Sequence, residues 1–206
     1  MTLEAILSVP TAASQEELDA DVWDDENRVS YSSDGKRLLD AEDFPSEVTV
    51  QDGCQVICDD VFAFQDYMAE RKLGEEIPLE ERSSYLEKIH LPASVTHIGA
   101  AAFAECGELL SIKLPTGLLF IGASAFMDCW QLERITLPAH TRVIGAGAFQ
   151  GCINMERIRL NKELEVIGKD AFDDCESLEE ICVPKGYKDH YKLLLPKRLH
   201  KYIKES

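Results

Sequence analysis

The sequence has few basic residues and no long apolar run. It contains 21 Lys and Arg against 38 Asp and Glu, which gives a net charge of −17. Sequence-independent binding of nucleic acid and docking on anionic membranes both depend on basic side chains, so this balance argues against either partner. No apolar stretch approaches the ~18 residues that a membrane-spanning helix needs, so we expect no membrane insertion.

The sequence also lacks recognisable catalytic and metal-binding motifs. It has no Gly-x-Ser-x-Gly motif for a serine nucleophile and no His-x-x-x-His pair for a metal. The acidic clusters at residues 24–26 and 173–174 do not have the spacing of a calcium-binding loop. We therefore predict that the protein is not an enzyme and that it holds no metal or other cofactor.

The first residues do not resemble a secretory signal, because a basic region is missing and Glu4 comes early. If Met1 is the natural start, the expected location is the cytoplasm. If a leader has been removed, the expected location is the cell surface or the medium. The acidity is concentrated at this end, since residues 1–85 hold 22 of the 38 acidic side chains and only 6 of the 21 basic ones.

What the sequence does contain is internal repetition. A pattern of 23 residues, L-x-x-I-x-L-P-x-x-V-x-x-I-G-x-x-A-F-x-x-C-x-x, begins at Leu86 and recurs from Leu109, Leu132 and Met155, with a partial fifth unit from Leu178. One unit is too small to bury its own apolar residues. The repetition therefore predicts a solenoid in which neighbouring units stack to form a continuous core.

Within the unit, the Ile-x-Leu alternation predicts a short strand whose two apolar side chains point inward, and the following proline ends that strand. We expect the Val-x-x-Ile segment to turn the chain and the Ala-Phe pair to fill the coil. Four cysteines share one repeat position and should form a column of small buried groups: Cys106, Cys129, Cys152 and Cys175. A zinc site needs ligands that converge on one point, which a column does not provide. Cys182, on the last strand, should face outward.

Degenerate apolar positions upstream, from Val48 to Phe62, match the repeat at an offset of 41, which implies one repeat plus an insertion of 18 residues. A short helix is predicted over 64–74, at the start of the insertion. The turn Asp34-Gly35 predicts a hairpin before the degenerate repeat. We divide the chain into an acidic, mobile segment (1–28), a hairpin cap with a degenerate repeat (29–64), the insertion (65–85), four repeats and a partial fifth (86–184) and a helical C-terminal cap (185–206).

The repeat pattern resembles the BspA-like, or Treponema-type, leucine-rich repeats, and Tyr31 to Leu39 looks like the hairpin that often precedes them. The resemblance covers roughly residues 29–204. It implies a curved, right-handed α/β-repeat solenoid with a parallel sheet on the concave side, short helical turns on the convex side and hairpin and helical caps. It also implies no catalytic residues. Members are mostly proposed to be surface or secreted proteins that bind host proteins or other cells. Two departures, Cys58 for glycine and Asn161 for proline, suggest locally irregular coils.

The side chains that flank the inward isoleucines should point outward and form a binding face. Over four central strands these eight positions hold five Lys or Arg, one His and no acid. The residues we predict to bind a partner are Lys88, His90, Lys113, Arg134, Thr136, Arg157 and Arg159. Besides a partner, two other groups could neutralise the positive charge of this face. The acidic N-terminal segment could cover it, or Glu87, Glu133 and Glu156 could form ion pairs across neighbouring strands.

These observations predict a monomeric interaction module that binds a protein or glycan partner, as an adhesion-type protein would. The partner is acidic if it neutralises the basic face. The alternative is a structural or self-assembling repeat protein without a separate ligand. Light scattering distinguishes the two, because a self-assembling chain changes its mass with concentration.

Overall fold

A computed structural model of the chain describes residues 1–41, 46–63 and 86–206, and within them it winds as a solenoid with parallel sheets on two sides. The elements before the repeats are α1 (Leu3–Leu7), α2 (Gln15–Asp19), β1 (Val22–Asp24), β2 (Val29–Tyr31), β3 (Arg37–Ala41), β4 (Glu47–Thr49) and β5 (Val56–Ile57). The repeats contain β6 (Lys88–His90), β7 (His97–Ile98), β8 (Phe120–Ile121), β9 (Arg134–Thr136), β10 (Val143–Ile144), β11 (Arg157–Arg159), β12 (Val166–Ile167) and β13 (Glu180–Val183). The chain ends with α3 (Lys188–Leu194), a 3₁₀ helix (Lys197–Tyr202) and β14 (Ile203–Glu205).

The first sheet consists of the predicted Ile-x-Leu strands. Strands β9, β11, β13 and β14 are parallel neighbours, with Ile135, Ile158 and Ile181 in register on the inner side. Strands β4 and β6 form a separate parallel pair. The coil around Ile112 lies between β6 and β9. It keeps the same alternation of exposed and buried side chains but does not form a strand. The sheet is therefore interrupted where the sequence pattern predicts it to be continuous.

The second sheet was not predicted. It has eight strands in the order β1-β2-β3-β5-β7-β8-β10-β12, and it is parallel from β3 onward. Each repeat contributes only two residues to it, from the segment that we interpreted as a turn. A strand of two residues gives no alternation to detect, and this is why the pattern missed it. Hairpin β2–β3 begins this sheet, as the Asp34-Gly35 turn predicts.

The segments that connect the second sheet to the first are turns, in which most coils have two residues with left-handed backbone. The recurring glycine beside them allows neighbouring coils to approach closely. A Cβ atom on Gly122 would lie 2.5 Å from the backbone of Gly99 in the preceding coil. A side chain at this position would push the coils apart.

Stacked phenylalanine rings fill the centre of the solenoid. Consecutive ring centroids lie between 5.1 and 5.7 Å apart, and the rings are nearly parallel. The column is Phe62, Phe103, Phe126, Phe149 and Phe172. All five are buried, so the predicted filling of each coil by phenylalanine is confirmed.

The predicted cysteine column lies beside these rings. The thiol of Cys129 donates a hydrogen bond to the carbonyl of Phe103 at 3.1 Å, and Cys152 and Cys175 repeat the contact one and two coils later. Cys106, Cys129 and Cys152 are buried, and Cys175 is half-buried. Burial raises the pKa of Cys175 to about 12 and the pKa values of Cys129 and Cys152 well above the ordinary thiol value. These thiols join successive coils and are poor nucleophiles.

The acidic N-terminal segment, which we expected to be mobile, packs against the second sheet. Ile6 on α1 is only 1% exposed, and its carbonyl lies 3.1 Å from Nε2 of His97 on β7. Arg142, next to β10, donates to the carbonyl of Met1, and Arg37 on β3 donates to two carbonyls near Pro10. The apolar side chain of Ile6 and these donors hold the segment on the side of the coil opposite the predicted binding face. The structure therefore gives no support to the idea that the segment neutralises that face.

The C-terminal cap is helical as expected up to Tyr202, but the last residues differ. Ile203, predicted to lie on a helix, belongs to β14, which pairs in parallel with β13. This additional strand covers the end of the first sheet. The predicted helix over 64–74 and the insertion over 65–85 lie outside the described residues, and the segment boundaries stay predictions.

Candidate functional site: the outer face of the first sheet

The outward side chains of the first sheet form two rows, one on each side of the buried isoleucines. All seven predicted binding residues are exposed on this face. The first row contains Lys88, Ser111, Arg134, Arg157 and Glu180. The second row contains His90, Lys113, Thr136, Arg159, Cys182 and Lys204. The register of the strands aligns Thr136, Arg159, Cys182 and Lys204 directly across β9, β11, β13 and β14.

The basic residues of the first row are neutralised by acids of adjacent coils. Each forms an ion pair with one glutamate: Lys88 with Glu47 at 2.7 Å, Arg134 with Glu156 at 3.1 Å, and Arg157 with Glu180 at 2.7 Å. Hydrogen bonds from Lys88 and His90 lower the pKa of the Glu47 carboxyl. Ion pairs across strands therefore account for the first row, and of the three predicted partner acids only Glu156 takes part in one of these pairs.

The second row differs, because most of its cations form no ion pair with an acid of the described residues. His90 shares Glu47 with Lys88, at 2.9 Å. Within the described part of the chain, Lys113, Arg159 and Lys204 form no ion pair, and Arg159 has only a 3.2 Å contact with the hydroxyl of Ser206. The positive charge of Lys204 also helps to lower the pKa of the Glu180 carboxyl, which pairs with Arg157. Among the described residues, the outer face thus has one row of ion-paired cations and one row with three cations that form no ion pair.

Cys182 corrects one prediction. By register it lies in the second row, between Arg159 and Lys204, but it is only 2% exposed. Strand β14, which the sequence pattern did not predict, pairs alongside it. Burial raises the pKa of the Cys182 thiol, so this thiol is neither exposed nor readily reactive.

Lys204 is a residue that sequence reasoning missed. We assigned the chain around Ile203 to a helix because Leu199 and Ile203 are four residues apart. The signal that could have found the strand is the alternation of apolar Ile203 with the flanking Tyr202 and Lys204. It was too short to compete with the helical spacing.

Neither a metal centre nor a membrane segment is visible in the described residues. No group of three or more His, Cys, Asp or Glu side chains there is arranged to hold a metal ion. Within the same residues, every helix is too short or too polar to cross a bilayer.

A family model described as the BspA type leucine-rich repeat region matches residues 81–192 in six copies. The chain belongs to this family. Leucine-rich-repeat proteins of this kind commonly serve in interaction or adhesion, often bind proteins and are generally non-catalytic. No curated protein matches the chain.

Solved structures share the fold of these BspA-type repeats. A leucine-rich cell surface protein from Faecalibacterium prausnitzii A2-165 matches 85% of this chain and 42% of its own, with 23% identity and a TM-score of 0.66. A leucine-rich repeat protein from Eubacterium ventriosum matches 83% of this chain and 41% of its own, with 19% identity and a TM-score of 0.63. The T. pallidum leucine-rich repeat protein matches 90% and 97%, with 19% identity and a TM-score of 0.55. Our chain spans about two fifths of the first two proteins.

Proposed function

We propose that this protein is a non-catalytic interaction module that binds an acidic protein or glycan partner through the outer face of the first sheet. The observation that carries the proposal is the second row, in which Lys113, Arg159 and Lys204 form no ion pair with any described residue, in a chain that carries a net charge of −17. Like charges that line one face repel each other, and an anionic partner removes that cost. The first row contributes less, because a partner would have to displace Glu47, Glu156 or Glu180.

The test is charge reversal with a matched control. One variant carries Lys113→Glu, Arg159→Glu and Lys204→Glu. The control carries Lys162→Glu, Lys185→Glu and Lys197→Glu, which change the net charge equally at exposed positions outside the sheet. In pull-downs from the source cells and their surroundings, we expect proteins or glycans retained by the parent and the control to be lost with the first variant. Circular dichroism checks that all three chains are folded. Equal retention by the reversed variant would contradict the proposal.

Self-assembly is a second candidate, and one observation favours it. Strand β1 ends the second sheet, and none of the described strands pairs with its outer edge. Val22 and Trp23 on this strand are 54% and 39% exposed. An exposed apolar edge strand is a template for pairing with another chain. If copies pair here, the mass measured by light scattering rises with concentration and Val22→Lys abolishes the rise.

A further inference from the structure

The cations of the second row that form no ion pair with a described residue recur on every second coil. The register places Thr136 before Arg159 and Cys182 between Arg159 and Lys204, and neither Thr136 nor Cys182 carries a charge on this face. Lys113 lies one repeat of 23 residues before Thr136. Adjacent strands of a sheet lie ~4.8 Å apart, so Arg159 and Lys204 are spaced by roughly 9.6 Å along the solenoid axis. The regular stacking of the repeats continues the row to Lys113, two coils before Arg159. The phenylalanine rings of successive coils lie 5.1 to 5.7 Å apart.

This spacing selects among the regular conformations of a peptide that lies across the strands. In an extended β-strand, side chains on one face are roughly 6.7 Å apart, which is too short for two coils. In an α-helix, residues seven apart share a face but lie about 10.5 Å apart, so the mismatch grows along the row. Polyproline II has three residues per turn and a rise of about 3.1 Å, which places every third residue on one face at ~9.3 Å.

The residues between the cations suit such a ligand. Thr136 is exposed, and its hydroxyl can hydrogen-bond the backbone of a polyproline II segment, which has no internal hydrogen bonds. Cys182 is buried beneath its neighbours and adds no charge between Arg159 and Lys204. A regular alternation of a charged and an uncharged position therefore faces the ligand.

The same face disfavours a densely charged polyanion. Glu156 and Glu180 lie on the strands that carry Arg159 and Cys182 or immediately before them, and both are already paired with arginines of the first row. A chain with an anion at every residue or sugar would place charges against these carboxylates and against a protein of net charge −17. A ligand with one carboxylate in three residues avoids this repulsion. Arg159 can also bind a carboxylate through two parallel hydrogen bonds.

We propose that the second row binds an acidic peptide segment in the polyproline II conformation, with carboxylates three residues apart that contact Lys113, Arg159 and Lys204. The segment lies across the strands, along the axis of the solenoid. This inference rests on the proposed function and specifies its partner, an acidic polypeptide rather than a glycan.

The experiment compares two fluorescent peptides of identical composition. One has the sequence Asp-Pro-Pro-Asp-Pro-Pro-Asp, and the other, Asp-Pro-Asp-Pro-Asp-Pro-Pro, turns its carboxylates to different faces. Fluorescence anisotropy at low salt measures Kd for each with the full chain. Exposed charge pairs contribute modestly, so we expect the first peptide to bind about fivefold more tightly or better. Equal binding of the two peptides would overturn the proposal, as would tighter binding of a sulfated oligosaccharide with three charges.

Variants locate the contact on the protein. Arg159→Ala removes the central cation and should erase the difference between the two peptides, whereas Lys162→Ala should preserve it. If Arg159→Ala leaves the difference intact, the second row is not the site. The two proposals fail separately. Captured partners that depend on the second row, without preference for the spaced peptide, would refute only the conformation, whereas partners that ignore charge reversal would refute the proposed function itself.

Discussion

Phe149 lies in the middle of the aromatic column, between the rings of Phe126 and Phe172 at 5.2 and 5.7 Å. It has no exposed surface, and its removal would leave a cavity that the neighbouring coils cannot fill. We expect Phe149→Ala to lower the free energy of unfolding by about 3–5 kcal/mol, measured by urea denaturation. Ile153→Ala is the control, because Ile153 is 40% exposed and its truncation should change stability far less. Similar losses for both variants would contradict this assignment of the core.

The residue scale also decides how much of the candidate site could be predicted. Alternation about the isoleucines was enough to place Lys113, Arg134 and Arg159 on the outside. Whether a cation has a partner depends on side chains from another coil, as when Glu180 reaches Arg157. The pattern predicts which residues share a face but not which glutamates reach which cations. It therefore could not separate the row of ion-paired cations from the row in which most cations form no ion pair.

At the scale of elements, a strand could be predicted where its repeated sequence pattern was long enough to show alternation. The first sheet was predictable because Ile-x-Leu alternates in every unit and proline ends each strand. The second sheet has two-residue strands, such as Val143–Ile144, and depends on hydrogen bonds between coils that no local pattern reports. The packing of the N-terminal segment could not be predicted, because it depends on one buried side chain, Ile6, and on a few donors of the second sheet.

His97 gives this N-terminal contact a pH dependence. Its Nε2 atom lies 3.1 Å from the Ile6 carbonyl, and its Nδ1 atom lies 2.9 Å from the hydroxyl of Thr96. Burial lowers the pKa of His97 below its ordinary value of 6.5, although the hydrogen bond to Ile6 opposes the shift. The folded chain therefore binds a proton at His97 less readily than the unfolded chain does. The contribution of neutral His97 to the free energy of unfolding is therefore complete above pH 6.5, and it is lost as the pH falls below that value.

We therefore expect residues 3–9 to exchange their amide hydrogens faster, relative to intrinsic rates, at about pH 5.5 than at about pH 7.5. Hydrogen-exchange mass spectrometry measures this change over a range in which ordinary carboxyl groups stay ionised. His97→Gln is the control, since its amide can donate to Ile6 but cannot take up a proton. A pH effect of the same size in that variant would assign the change to other groups.

At the scale of the whole molecule, the aromatic and cysteine columns of the described coils link each coil to its neighbours. Each phenylalanine of the column stacks on the rings before and after it, and the thiols of Cys129 and Cys152 donate hydrogen bonds to the preceding coil. Stability in such a chain is a sum of nearest-neighbour terms. A central coil has two stacked neighbours, whereas a terminal coil depends on its cap.

The cysteines of the column can test this difference in stability between central and terminal coils. Cys129 lies in a central coil and is fully buried, whereas Cys175 lies in the last complete coil and is only half-buried. Labelling requires an exposed thiolate, and burial raises the pKa of both thiols, so the native chain should react slowly at both sites. With increasing urea, we expect pulse labelling read by mass spectrometry to modify Cys175 at a lower concentration than Cys129. In the fully unfolded chain both should react at the same rate, which controls for intrinsic reactivity. A single shared midpoint would mean that the coils unfold as one unit, and the stacking of the rings would then couple the whole chain more strongly than its nearest-neighbour contacts imply.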